Sequence, residues 1–144
     1  MNPSKSPGPP SWARTLSLIA AFSIAALALA WVVVPVIAAV LSQLLFGATT
    51  GTPPEFLALD LALSFLAFLA ACYGAAALSR GHPVATATGV AVVGWLVYFV
   101  VVGGLEGMFS GDLPVWYEAF PLHFLAAVLG CRLARRRASQ HRAG

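Results

Sequence analysis

Charge is what this sequence has least of. Acidic and basic side chains make up 9% of its 144 residues while 60% are hydrophobic, against roughly a quarter charged in an ordinary soluble domain. So little polar surface cannot coat a water-soluble globule, and the composition points to an integral membrane protein whose helices pack in lipid. Cysteine is equally scarce. Neither Cys72 nor Cys131 belongs to a CxxC or Cys/His metal spacing, and both fall toward helix ends expected on the reducing, cytoplasmic side, so they are expected to be reduced and to serve as small apolar packers. Motifs of soluble chemistry are missing as well. There is no glycine-rich phosphate loop, no HExxH, no GxSxG and no pair of intramembrane histidines for a bis-His haem, so no metal or cofactor is implied. Nor does any acid or base stand near the centre of an apolar segment, where many secondary transporters place a coupling group.

What the sequence does have is four apolar segments. The first, residues 16–46, would reach about 46 Å as a straight helix, although the hydrocarbon needs only ~30 Å. Pro35 lies inside it and lacks the N–H that would bond the Trp31 carbonyl, so a kink or tilt is expected there. The others are residues 56–78, 84–105 and 115–133, each near the length of one span. A cleaved signal ending at Ala28-Leu29-Ala30 is disfavoured because the apolar run continues well past it. The fold class that follows is an all-α membrane protein, four transmembrane helices in an antiparallel bundle, occupying residues 15–134.

The connections carry turn chemistry. Thr52-x-x-Glu55 has capping-box spacing, and Pro53 suits a first helical turn. Ser79-Arg80-Gly81-His82-Pro83 reads as a tight reversal in which Gly81 is free to take φ > 0 and Pro83 opens the next helix. Residues 1–14, with their prolines, are expected to be a disordered tail, and residues 135–144 a basic tail of similar character.

Charge placement orients the spans. With the N-terminus cytoplasmic, Lys5, Arg14, Arg80, Arg132, Arg135, Arg136, Arg137 and Arg142 all fall inside, as the positive-inside rule requires. Glu55, Asp60, Glu106, Asp112 and Glu118 fall in or near the opposite loops. Both termini are therefore expected in the cytoplasm, and the basic balance reads as a topology signal, not as nucleic-acid binding. The arginines after residue 131 either anchor the last span or contact lipid headgroups through Arg132, Arg135, Arg136 and Arg137.

Small residues recur on helix faces. Asp60, Ser64, Ala67, Ala71 and Gly74 share one face of the second segment, His123, Ala126 and Gly130 one face of the fourth, and Ala85 and Gly89 add small-xxx-small spacing to the third. Close packing of the second and fourth segments would bring Asp60, about 6 Å below the outer interface, near His123, about 10 Å below it. Together with Glu106 and Glu118 at the rim they would form an outward-facing pocket able to bind a cation or relay a proton. The plainer reading is that Asp60 and Glu118 are stabilised by helix N-termini, that Trp116 and Tyr117 form an interfacial belt, and that His123 is structural. Trp95 and Tyr98 share a face that should point inward, so that their polar atoms find partners.

The run Gly74-Ala75-Ala76-Ala77-Leu78-Ser79-Arg80-Gly81-His82-Pro83, with Ala85 and Gly89 beyond it, resembles the hairpin of a loose class of small uncharacterised bacterial four-helix membrane proteins. The resemblance implies a bacterial inner membrane and no particular activity. Three functions then compete: a structural or accessory protein that binds a membrane partner or assembles with its own copies, a small oligomeric transporter or channel, and an intramembrane or lipid-modifying enzyme using His123 and a carboxylate. The partners expected are the bilayer and a homo-oligomer or another membrane protein.

Overall fold

A computed structural model describes residues 11–47, 54–79, 81–102 and 114–143. These form four helical runs with no strand among the described residues. The first consists of α1 (Ser11–Ala28), a π-helical turn (Leu29–Val33) and α2 (Val34–Phe46); α3 (Pro54–Leu78), α4 (Pro83–Val102) and α5 (Pro114–Ala143) follow. Two stretches, Trp12–Leu45 and Ala58–Leu78, are long and apolar enough to cross a membrane, and Pro83–Val97 is a shorter apolar helix.

The strain of Pro35 is taken up just before the proline. The Val34 N–H bonds the Leu29 carbonyl, five residues back, and this widened turn makes room where a proline ring meets the preceding turn of helix. The same run ends at Gly47, whose φ of 62° and N–H bond to the Gln43 carbonyl form a left-handed C-terminal cap.

Both tails differ from expectation where they are described. The described chain is helical from Ser11, since no helix breaker follows until Pro35, and Arg14 is therefore part of α1; residues 1–10 lie outside the described residues. At the other end α5 continues through Ala143, so residues 135–143 are helical. No glycine or proline interrupts the chain between Gly130 and Gly144, Arg, Leu, Ala and Gln are good helix formers, and basic side chains suit a helix C-terminus. The third apolar segment is helical through Val102, and residues 103–105 lie outside the described residues. The spacing of Thr52 and Pro53 lies outside the described residues.

The reversal between α3 and α4 is made by hydroxyls, without a left-handed glycine. Gly81 is not in the positive-φ region. Instead the His82 N–H donates to Ser79 Oγ at 3.2 Å, the Thr86 hydroxyl donates to the His82 carbonyl at 2.7 Å, and the Ser79 and Thr86 hydroxyls lie 3.0 Å apart. Thr86 is fully buried, and these bonds satisfy the backbone groups at the start of α4.

The interior is built of small side chains. Ala26, Ala75, Ala91 and Ala126 are buried, and the largest side chains removed entirely from solvent are Val90, Thr86, Cys72 and Ser23. Large apolar residues face outward, as Ile24, Val32, Val36, Val40 and Leu44 do along α1 and α2. This inverts the usual aqueous arrangement and suits a surround of lipid, where helices associate by close approach. The closest approach is α3 to α5: a Cβ on Gly130 would stand 2.8 Å from the Tyr73 backbone nitrogen and 3.0 Å from Cys72 Cβ. Elsewhere glycines receive rings and branches, Gly74 the Phe22 ring, Gly89 the Ile19 side chain and Gly94 the Phe68 ring. Ser23 of α1 also bonds the Val90 carbonyl of α4 at 3.5 Å, and the Cys72 thiol lies 3.6 Å from the Ala87 carbonyl. Both cysteines are free and buried.

Backbone cannot yield as a side chain can. Gly130→Ala is therefore expected to force α3 and α5 apart and to cost about 1–3 kcal/mol. Gly74→Ala, met by the rotatable Phe22 ring, should cost less. Thermal unfolding of both variants in mild detergent checks the ranking, and equal losses would refute it.

Candidate functional site

His123 is one of four polar side chains buried among the described residues, with Ser23, Ser42 and Thr86. It lies two residues beyond Pro121 on α5, is 9% exposed, and packs edge-on against Phe68 of α3 with ring centroids 4.2 Å apart and planes at 75°. Aromatic rings favour this arrangement, the positive edge of one meeting the face of the other. Beside the pair is a cavity of about 30 Å³ lined by Leu61, Ser64, Phe65, Phe68, Leu122 and His123. That is room for about one water, whereas ligand pockets run to several hundred Å³. Only Ser64 and His123 offer it polar atoms.

Asp60 does not complete this site. It is half-buried on α3, and no hydrogen bond or ion pair joins it to His123. The reason is register. His123 packs level with Phe68, about two turns, or ~12 Å, further along α3 than Asp60, so two depths each counted from an assumed interface do not bring the side chains together. With α3 starting at Pro54, Asp60 also lies beyond the first turn in which a helix dipole helps a carboxylate. Glu106 lies outside the described residues, as do the side chains of Glu118, Trp116, Tyr117 and Tyr98. Trp95 is half-buried on α4. Among the described residues no group of three His, Cys, Asp or Glu is placed to hold a metal.

The small-residue positions divide between neighbours. Ala71 and Ala126 are buried and Ser64 is half-buried, while Gly130 faces Cys72 and Tyr73, and Gly74 and Gly89 face α1. Contact between α3 and α5 runs through Phe68, Cys72 and Tyr73, and of the Asp60, Ser64, Ala67, Ala71 and Gly74 stripe Ser64 shares a cavity with His123.

The basic side chains gather at one end. Arg14 Nη2 reaches the Leu78 carbonyl at the end of α3, at 3.4 Å, and Arg137 Nη1 donates to the Tyr73 hydroxyl at 2.8 Å. That bond favours the charged guanidinium and pushes Arg137 further above its ordinary range. Arg132, Arg135 and Arg136 are exposed. Sequence reasoning missed the part played by Tyr73; the available signal was a tyrosine near the end of one apolar helix with an arginine run closing another.

If His123 serves packing, His123→Ala should lower stability by about 2–4 kcal/mol, while His123→Phe keeps the edge contact and stays within about 1.5 kcal/mol of the parent. Equal losses in thermal unfolding would show that the imidazole nitrogens carry the contribution. No family model matches the chain, and no curated protein or solved structure matches it.

Proposed function

We propose that the chain is a small multi-pass protein of a bacterial inner membrane, of structural or accessory type, which binds a membrane partner or assembles with its own copies through the Asp60 end of α3. Four spans in an antiparallel bundle, with both termini cytoplasmic, is the topology proposed. Contacts between numbered pairs support the helix directions: Arg14 with Leu78 and Phe22 with Gly74 for α1 against α3, Cys72 with Ala87 and Phe68 with Gly94 for α3 against α4, and Phe68 with His123 and Tyr73 with Arg137 for α3 alongside α5. Those directions bring Arg14 and the α5 arginines to one end, which the positive-inside rule makes cytoplasmic.

The observation that carries the functional reading is Asp60 itself. It is the single charged residue in 56–78, it is half-buried, and no described residue donates to it. An ionisable group inside a membrane helix seeks a partner, and the cavity lined by its neighbour Leu61 is too small for a substrate. A donor from another chain answers both facts. An acidic pocket of a small oligomeric transporter or channel would use the same carboxylate, with its pore formed between chains.

Asp60→Asn is expected to abolish comigration with a partner or a second copy on native gels after mild detergent extraction, while Asp60→Glu retains it. Unchanged association of Asp60→Asn would overturn this reading. Cation flux in liposomes that disappears with the same substitution would favour the transporter instead.

A further inference from the structure

At the basic end, α3 and α5 together line a shallow, open cleft of about 610 Å³. Its floor is apolar, made by Ala70, the Tyr73 ring and Leu133, and its mouth carries Arg136, Arg137 and Gln140. Such a division, apolar below and cationic above, matches the two halves of a phospholipid. We propose that this cleft seats one anionic phospholipid, its phosphate held by Arg136 and Arg137 and an acyl chain lying along the apolar floor. The proposal rests on the membrane-spanning reading and is independent of what partner Asp60 meets.

Three features favour a fixed site over diffuse attraction. First, Arg137 is already oriented: its Nη1 donates to the Tyr73 hydroxyl at 2.8 Å, which fixes the planar fork at the mouth and leaves its remaining N–H groups for a phosphate. Guanidinium groups match phosphate geometry in a way that a point charge does not. The phenol also keeps its own O–H to donate, and the Gln140 amide stands beside it.

Second, no carboxylate competes among the described side chains. Asp60 lies about 20 Å away along α3. Third, the floor continues as an apolar track away from the mouth, since Leu66, one turn before Ala70 on α3, is 55% exposed and Leu133 on α5 is 47% exposed, and Ala70 is exposed too. An acyl chain there would cover surface that the protein leaves open. Arg132 and Arg135 belong to the same basic run but do not line the cleft, so they separate a built site from net charge.

Native mass spectrometry of the full chain, with phosphatidylglycerol and phosphatidylcholine of equal acyl length, tests this. The parent should retain one phosphatidylglycerol in preference to phosphatidylcholine. Arg136→Gln with Arg137→Gln should weaken that binding roughly thirtyfold, about fivefold for each guanidinium, and Arg132→Gln with Arg135→Gln should leave it nearly unchanged. Equal weakening by the two pairs would overturn the proposal in favour of diffuse attraction. Displacement of the lipid by millimolar inorganic phosphate would make the occupant a free anion and overturn it likewise. Resistance of the same variants to alkaline carbonate extraction reports the membrane-spanning reading separately.

Discussion

Everything else in this fold depends on how closely α3 and α5 approach at Gly130. A glycine there lets one backbone rest against another, and the alanines and cysteines around it keep the approach close for several turns. Small side chains contribute little buried apolar area, so an interior of this kind would hold a soluble protein together poorly. In lipid the balance differs, because helices compete with acyl chains and gain from backbone contact. The outward placement of Ile24, Val36 and Leu44 belongs to the same arrangement.

Close approach also fixes register, and register decides which polar groups meet. Once Gly130 is seated against Cys72 and Tyr73, His123 comes beside Phe68, and Arg137, about two turns beyond Gly130 on α5, reaches the Tyr73 hydroxyl with its long side chain. Asp60 is left about two turns away from the imidazole. The helices therefore have differently equipped ends: a basic end with arginines bonded to a carbonyl and a phenol, and an opposite end with a half-buried carboxylate. The proposed lipid cleft belongs to the first and the proposed partner contact to the second. Both proposals assign an outside molecule to polar groups whose bonding capacity the described residues do not fill.

Helix positions could be read from sequence because apolar length and proline placement are local properties. The segments around 16–46 and 56–78 correspond closely to observed helices, and Pro83 opens α4. The tails were less legible: a basic run lacking glycine and proline has the composition of a solvated tail and the propensity of a helix, and α5 follows the propensity through Ala143. The reversal at Ser79 looked like a glycine turn, yet its hydrogen bonds come from Ser79 and Thr86. Least legible was the pairing of Asp60 with a donor. Depth counted along each helix carries no information about the offset between helices, and that offset is set by Gly130.

The topology is tested most directly by thiol accessibility, since both native cysteines are buried. Single cysteines introduced by Thr50→Cys and Ser110→Cys should react with an impermeant maleimide applied outside intact cells. Ser4→Cys and Ser139→Cys should react only after the membrane is permeabilised. Labelling of Ser139→Cys from outside, or protection of Thr50→Cys and Ser110→Cys, would contradict four spans with both termini cytoplasmic.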